Sequence, residues 1–245
     1  MFLTRFPVNM TRRKSRAMLA SPYELHAAIA GSFSESVANN SEGRVLWRLD
    51  RSKNGAVNLL IASPEKPSLV GLDEQIGWPD IEHQWKTRNY DPLLNQLEVG
   101  QRYAFRLVAN PVVSRSGIAN EAGRSKRIAH LTVLQQAAWL AGEQAYTLLG
   151  KEVPAAFAAQ EESRAMRNGF RIVADSGIGA LQLVVSDSTK VTFAKSNGRR
   201  ITLAMARYDG LLEVADEQKM RRALCFGIGH AKSFGCGLIT LAPAG

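Results

Sequence analysis

The chain has 245 residues, 45% of them hydrophobic, and a formal net charge of +9, which leaves room for one large domain or two of ordinary size and argues against disorder. No apolar run reaches membrane length and the opening Met1 to Arg16 lacks the apolar core of a secretory leader, so a cytoplasmic protein with no membrane partner is expected. Two cysteines, Cys225 and Cys236, are too few for a disulfide framework and have no histidine or aspartate at ligand spacing, so they read as core thiols and not as a metal site.

Residues 2–8 read as a first strand, followed by a basic loop over 9–20 that carries Arg12, Arg13, Lys14 and Arg16. The first helix is signposted by Ser21 as N-cap, Pro22 at N1 and Glu24 at N3, a capping box with proline in its favoured slot. Leu25, Ile29 and Phe33 follow at i, i+4 and i+8 and give the core-facing stripe. His26 lies about 60° from the centre of that stripe, and Tyr23 is its i, i+3 neighbour on the same flank. Two readings fit this pair: a histidine and a tyrosine packed at the core edge, or a pair exposed in a groove. The helix N-terminus and nearby Arg and Lys disfavour a further positive charge, so the imidazole is expected to be neutral and able to accept a proton.

Residues 44–50 and 57–62 read as a strand pair joined by Lys53-Asn54-Gly55, a hairpin-type turn. A short helix over 69–76 and a strand over 85–90 complete a strand, helix, strand, strand, helix, strand order, which is a ferredoxin-like unit.

A second run of the same kind begins with the strand 101–110. A long basic connection follows over 112–130, with Arg115, Arg124, Lys126 and Arg127. Thr132 and Gln135 form a capping box for a helix with an apolar seam at Leu134, Ala138, Ala141, Ala145 and Leu148 and Gly150 as terminator. Residues 154–167 read as helical, closed by Asn168-Gly169. Residues 170–175 and 181–187 are strand-like. Strands over 191–195 and 199–206 flank Ser196-Asn197-Gly198, a hairpin turn whose tip carries Lys195, Arg199 and Arg200. Such a basic ribbon can enter a nucleic-acid groove or follow a backbone. A strand over 211–214, a helix over 216–225, a Gly-rich loop and a strand over 238–241 end the chain. The expected class is α+β with two tandem ferredoxin-like domains, 1–97 and 98–245.

The four segments 1–20, 112–130, 188–208 and 219–245 hold 18 of the 31 Lys and Arg but one of the 22 Asp and Glu. If they meet on one face, they form a polyanion-binding surface; otherwise they are a solvated basic face. The Gly-rich loop holds Gly227, Gly229, Gly235 and Gly237, with Lys232 and Ser233 between them. Backbone N–H groups in such a loop can cradle an anion, although a helix cap followed by a tight turn has the same composition. The basic segments are nearly free of carboxylates, which argues against the clustered acids of a two-metal nuclease. RNA offers another route, because its own 2′-OH attacks the adjacent phosphorus once a base takes the proton and an acid or cation assists the leaving 5′-oxygen. A histidine, a tyrosine and a few Lys or Arg suffice. Of the four histidines, at 26, 83, 130 and 230, His26 is the one paired with a tyrosine on a capped helix.

The C-terminal Gly227-Ile-Gly-His-Ala-Lys-Ser-Phe-Gly-Cys-Gly-Leu-Ile-Thr-Leu-Ala-Pro243, with Phe105-Arg-Leu-Val-Ala-Asn-Pro111, Ala137-Ala-Trp-Leu140 and Tyr23-Glu-Leu-His26, resembles the CRISPR-associated endoribonuclease of the type I-E Cascade complex, the CasE branch of the RAMP superfamily. These landmarks run the whole length of the chain. The resemblance implies tandem ferredoxin-like domains and metal-independent, cofactor-free cleavage of CRISPR repeat RNA at the base of its hairpin, giving a 2′,3′-cyclic phosphate and a 5′-hydroxyl. It also implies that the enzyme stays on the 3′ hairpin of the crRNA and joins other Cascade subunits. By position, His26 matches the catalytic histidine, Tyr23 its companion, and residues 227–237 the Gly-rich loop that touches RNA. Some relatives carry an assisting lysine where this chain has Gly31, so Lys232 or the Arg12–Arg16 cluster is the expected substitute. A rival of another class is an RNA-hairpin-binding subunit in which Tyr23 and His26 only pack or stack.

Overall fold

The computed structural model describes residues 1–79, 84–119, 125–158, 161–175, 177 and 179–244. Its chain contacts divide into two units: Met1–Gln96 with Thr192–Thr202 and Leu224–Leu238, and Leu97–Val191 with Leu203–Ala223 and Ile239–Gly245.

The first unit runs β1 (Phe2–Val8), α1 (Arg13–Ala20), α2 (Pro22–Ala30), a 3-10 turn at Glu35–Asn39, β2 (Leu46–Arg51), β3 (Val57–Ser63), α3 (Val70–Ile76), β4 (Lys86–Asn89) and α4 (Asp91–Asn95). Its antiparallel sheet has the order β2-β3-β1-β4, the ferredoxin-like arrangement, so β2 is an edge strand. Strand alternation sorts the side chains. Phe6, Val8, Trp47, Leu59 and Ile61 pack with Leu25 and Ile29 of α2 and Leu72 and Ile76 of α3, whereas Leu3, Leu46, Leu60 and Ala62 form a second cluster with Leu238.

The expected basic loop over 9–20 is in fact mostly helix α1. Ser15 and Met18 are buried and Leu19 packs on the core, while the Arg16 guanidinium donates to the carbonyls of Met10 and Thr11 and holds the chain as it enters the helix. Three cations on the eight-residue helix, with Arg12 at its N-cap, masked its small apolar face.

The second unit contains β5 (Arg102–Ala109), β6 (Val112–Ala119), β7 (Ser125–Ala129), α5 (Val133–Ala141), α6 (Gln144–Thr147), α7 (Ala155–Ala158), α8 (Arg164–Arg167), β8 (Phe170–Ile172), β9 (Leu183–Ala194), β10 (Arg200–Val214), α9 (Glu217–Phe226) and β11 (Ile239–Pro243), with the β9–β10 tip and the end of α9 falling in the first unit. The sheet order β11-β5-β10-β8, with β9 alongside β10, repeats the ferredoxin-like order, and the fold is α+β with two such sheets in tandem.

Several details differ from the sequence reading. The connection over 112–130 is a hairpin in which Val112 pairs with Ala129 and Arg115 with Lys126. The helix expected to reach Gly150 stops at Gly142, where φ is 71° and a Cβ would lie 2.9 Å from Ser163 Cβ. Residues 154–167 hold two short helices. The four strand pieces expected between 181 and 214 are two long strands. Asp209-Gly210 does not break β10, because Asp209 pairs with Arg106 and Arg207, and the missing Cβ of Gly210 admits the Gln182 carbonyl. Among the described residues no helix is long and apolar enough to cross a membrane.

Candidate ribonuclease site

Helix α2 starts as its sequence dictates. The Ser21 hydroxyl accepts the Glu24 N–H at 3.4 Å and Pro22 occupies the first turn. That phase sends Leu25 and Ile29 fully into the core and leaves Tyr23 and His26 half-buried at its rim. His26 Nδ1 is buried without a hydrogen-bond partner among the described residues. Burial, reinforced by the positive charge of Arg44, holds the imidazole below its ordinary value of 6.5. The ring is therefore neutral at neutral pH. Three residues earlier, the Tyr23 hydroxyl shares a hydrogen bond of 3.0 Å with Ser196 Oγ.

Ser196 belongs to the tip of the β9–β10 hairpin. The tip is closed by Lys195 N–H donating to Arg199 O and Gly198 N–H donating to Lys195 O, and the Asn197 side chain accepts the Arg199 N–H. Phe193, near the end of β9, packs on Phe234 with tilted rings whose centres are 4.9 Å apart, and Lys195 Nζ stands 5.9 Å from the centre of the same Phe234 ring.

Phe234 comes from the Gly-rich loop, which is moulded on β2. At Gly227 φ is 75° and a Cβ would come within 2.8 Å of Leu46 Cδ2; at Gly235 φ is 82° and a Cβ would meet the Trp47 ring at 2.7 Å. Leu46 and Trp47 point to opposite faces of the sheet, so the loop covers this edge strand from both sides. Ile228 N–H donates to Gly237 O and closes the loop's neck. Its 3-10 turn, Lys232–Phe234, packs against both α2 and β2. The loop thus closes over β2 and packs on the helix that carries His26.

Most of the residues singled out by sequence lie in this first unit: Tyr23, His26, the cluster Arg12, Arg13, Lys14 and Arg16, the hairpin residues Lys195, Arg199 and Arg200, and Gly227, Gly229, Lys232 and Ser233. Arg12 donates to Glu74 O at 2.6 Å, so part of its guanidinium ties α1 to α3. Arg199 and Arg200 are exposed at the hairpin tip. Arg115, Lys126 and Arg127 lie in the second unit, on the β6–β7 hairpin, and Arg127 is exposed. Arg124 and His83 fall outside the described residues. Gly31 is an ordinary right-handed helix end, and a Cβ there would meet no atom closer than 3.6 Å.

Sequence reasoning missed two neighbours of the site. Arg44 acts on His26 through space, and Ser196 was read only as part of a turn. Neither carries a local signature, since each reaches the site from a segment far away in sequence.

The chain is 27% identical to the CRISPR-associated endoribonuclease Cse3 of Thermus thermophilus, over 99% of this chain and all of that one. It is similar to a solved structure of CRISPR endoribonuclease Cse3 bound to a 19-nt RNA, with TM-score 0.74 and 26% identity over 99% of this chain and 100% of the other. The fold also matches a chain of a CRISPR RNA-guided surveillance complex, pre-nicking, at TM-score 0.61 and 24% identity over the full length of both chains. The CRISPR associated protein family model matches residues 1–243, and the chain belongs to that family.

Proposed function

We propose that the protein is the CasE-type endoribonuclease of a type I-E system. It cuts CRISPR repeat RNA at the base of its hairpin without a metal ion, and keeps the crRNA 3′ hairpin as a subunit of a Cascade assembly in the cytoplasm. The observation that carries this reading is a neutral, half-buried His26 beside Tyr23, on a helix rim lined by the Gly-rich loop and a basic hairpin tip. The RNA-bound Cse3 structure supports the substrate class, and the surveillance-complex chain of the same fold supports the assembly.

The chemistry follows from the groups present. His26 Nε2 takes the proton of the 2′-OH, the 2′-oxygen forms a bond to the adjacent phosphorus, and the bond from phosphorus to the 5′-oxygen breaks. The leaving 5′-oxygen takes a proton from Tyr23 or from a water, leaving a 2′,3′-cyclic phosphate and a 5′-hydroxyl. Tyr23 regains its proton from the imidazolium, so no co-reactant is consumed. Positive charge near the phosphorus stabilises the pentacoordinate phosphorane.

The test is incubation of a type I-E repeat hairpin with wild type and His26→Ala in EDTA, beside an RNA with a 2′-deoxy sugar at the scissile nucleotide. Cleavage by wild type to a cyclic phosphate, lost in the variant and in the deoxy RNA while both complexes still form, is the expected result. Tight binding without cleavage by wild type would leave a hairpin-binding subunit, and cleavage that stops in EDTA would refute the metal-free mechanism.

A further inference from the structure

Resting on the ribonuclease reading, we propose that the tip of the β9–β10 hairpin is part of the cleavage site itself: Ser196 positions the Tyr23 phenol, and Lys195 supplies the cation that stabilises the scissile phosphate. The tip thus does more than grip the RNA stem.

Three contacts bring the tip to the catalytic helix. The Tyr23 hydroxyl and Ser196 Oγ are 3.0 Å apart. The tilted rings of Phe193 and Phe234 meet with centres 4.9 Å apart, tying the hairpin to the Gly-rich loop, and that loop packs on α2. The Lys195 ammonium stands over the Phe234 ring, 5.9 Å from its centre, and not on a carboxylate among the described residues. A cation held only by an aromatic face loses little when it moves to a phosphate, because such contacts are worth about 0.5–1 kcal/mol at exposed sites. The turn that carries Lys195 and Ser196 is fixed by its own backbone hydrogen bonds and by the Asn197 side chain, so the two residues move as one piece.

Arg44 bears on His26 through its charge, and several other cations of this unit are engaged elsewhere. Arg12 donates to Glu74 O, and Arg16 donates to Met10 O and Thr11 O. Lys232 runs its stem along Gly237, with Cγ 3.1 Å from where a Cβ would be. Helix α2 ends at Gly31, which offers no side chain. Lys195 is the lysine whose neighbour in the chain already touches the catalytic tyrosine.

Ser196 acts through Tyr23. A phenol held by a serine hydroxyl has one preferred direction, and the shared hydrogen bond gives its proton a route to either oxygen. The expected signature is coupling: removing either hydroxyl should cost most of what removing both costs.

The experiment is single-turnover cleavage of the repeat hairpin at saturating protein, with affinity measured separately on the 2′-deoxy RNA. Lys195→Ala should slow the saturated rate by about 10²–10³, the usual effect of removing one charge-stabilising donor, with affinity changed less than threefold or so, and Lys195→Arg should restore part of the rate. Ser196→Ala should slow cleavage by about tenfold, Ser196→Thr should restore it, and Ser196→Ala should add little to Tyr23→Phe. A Lys195→Ala protein that binds more weakly, with a flatter salt dependence, yet cleaves at the wild-type rate once saturated would overturn the proposal and make Lys195 a stem contact. Loss of rate in Arg44→Ala with none in Lys195→Ala would move the role to Arg44 and overturn it as well. Failure of the underlying reading looks different: wild type itself would not cleave, or His26→Ala would cleave as wild type does.

Discussion

The Arg48 guanidinium on β2 donates to the carbonyl of Leu238, 190 residues later in the chain, at 3.0 Å, and grips the Asp50 carboxylate on its own strand through two bonds of 2.7 and 2.9 Å. Arg48 is 1% exposed. One buried group therefore fixes the end of the Gly-rich loop to the edge strand on which Leu46 and Trp47 shape its start and middle. Arg48→Met leaves a carboxylate and a carbonyl facing an apolar side chain. Removing one partner of a buried pair costs about 3–5 kcal/mol; Asp50 retains 20% side-chain exposure, which puts the expected loss at the lower end. Replacing Asp50 by Asn in the same chain should recover part of the loss. Denaturant titration reads both, and a single variant within 1 kcal/mol or so of wild type would show that the pair does not anchor the loop.

Two glycines with the same backbone sign separate strain from space. Gly235 has φ 82° and a Cβ there would sit 2.7 Å from the Trp47 ring, whereas Gly198 at the hairpin tip has φ 75° and open space around it. Alanine at Gly198 meets only the left-handed backbone, roughly 1–2 kcal/mol. Alanine at Gly235 must in addition displace a ring that is 2% exposed in the core. The expected order is a clearly larger loss at Gly235, by about 1–3 kcal/mol, and equal losses would mean that Trp47 yields without cost.

How far the sequence carried depended on whether a signal was local. The Ser21-Pro22 start of α2, the Thr132 capping box and the Lys53-Asn54-Gly55 and Ser196-Asn197-Gly198 turns are written in adjacent residues, and the structure has each. Helix α1 and the β6–β7 hairpin were hidden by their charge, because patterning reads cations as loop when the apolar partners are few. The unbroken course of β10 through Asp209-Gly210 depends on Arg106, Arg207 and Gln182, which no short window around residue 210 brings together. The site divides in the same way. Within the candidate site, Tyr23 and His26 are an i, i+3 pair that the sequence singles out, while the hydrogen bond from Ser196 and the charge of Arg44 lie outside any local window.

The exposed Arg199 and Arg200 follow the hairpin turn and make no ion pair among the described residues. If each meets a phosphate of the repeat stem, neutralising one removes a released counterion without touching base readout. Arg199→Ala should then weaken binding to cognate and scrambled hairpins alike and reduce the slope of log affinity against log salt by roughly one. An unchanged affinity and slope would remove Arg199 from the interface. A loss confined to the cognate hairpin would make it a base reader.

Two histidines make the stability of this fold depend on pH. Burial lowers His26, with Arg44 adding to the effect, and burial lowers His130, with Arg164 adding to it; the ordinary value for both is 6.5. Above that value folded and unfolded chains both hold neutral imidazoles, and pH has no leverage through these groups. As pH falls through 6.5 the unfolded chain takes up protons that the folded chain refuses, so stability drops until pH passes the lower folded values. Glu213 adds a separate loss in more acid solution, because its hydrogen bonds with Arg171 and Arg102 hold it below its ordinary 4.5 and stability falls as the folded carboxylate is protonated. Denaturation at pH 7, 6 and 5 should show declining stability in wild type and a shallower decline in His26→Gln and in His130→Gln. The same depressed imidazole gives the proposed role of His26 a pH signature. With His26 as general base, the saturated cleavage rate rises with pH and levels off below 6.5, where the neutral ring already predominates. A rate that falls with rising pH over that interval would make His26 the acid, with the 2′-OH proton taken by another group.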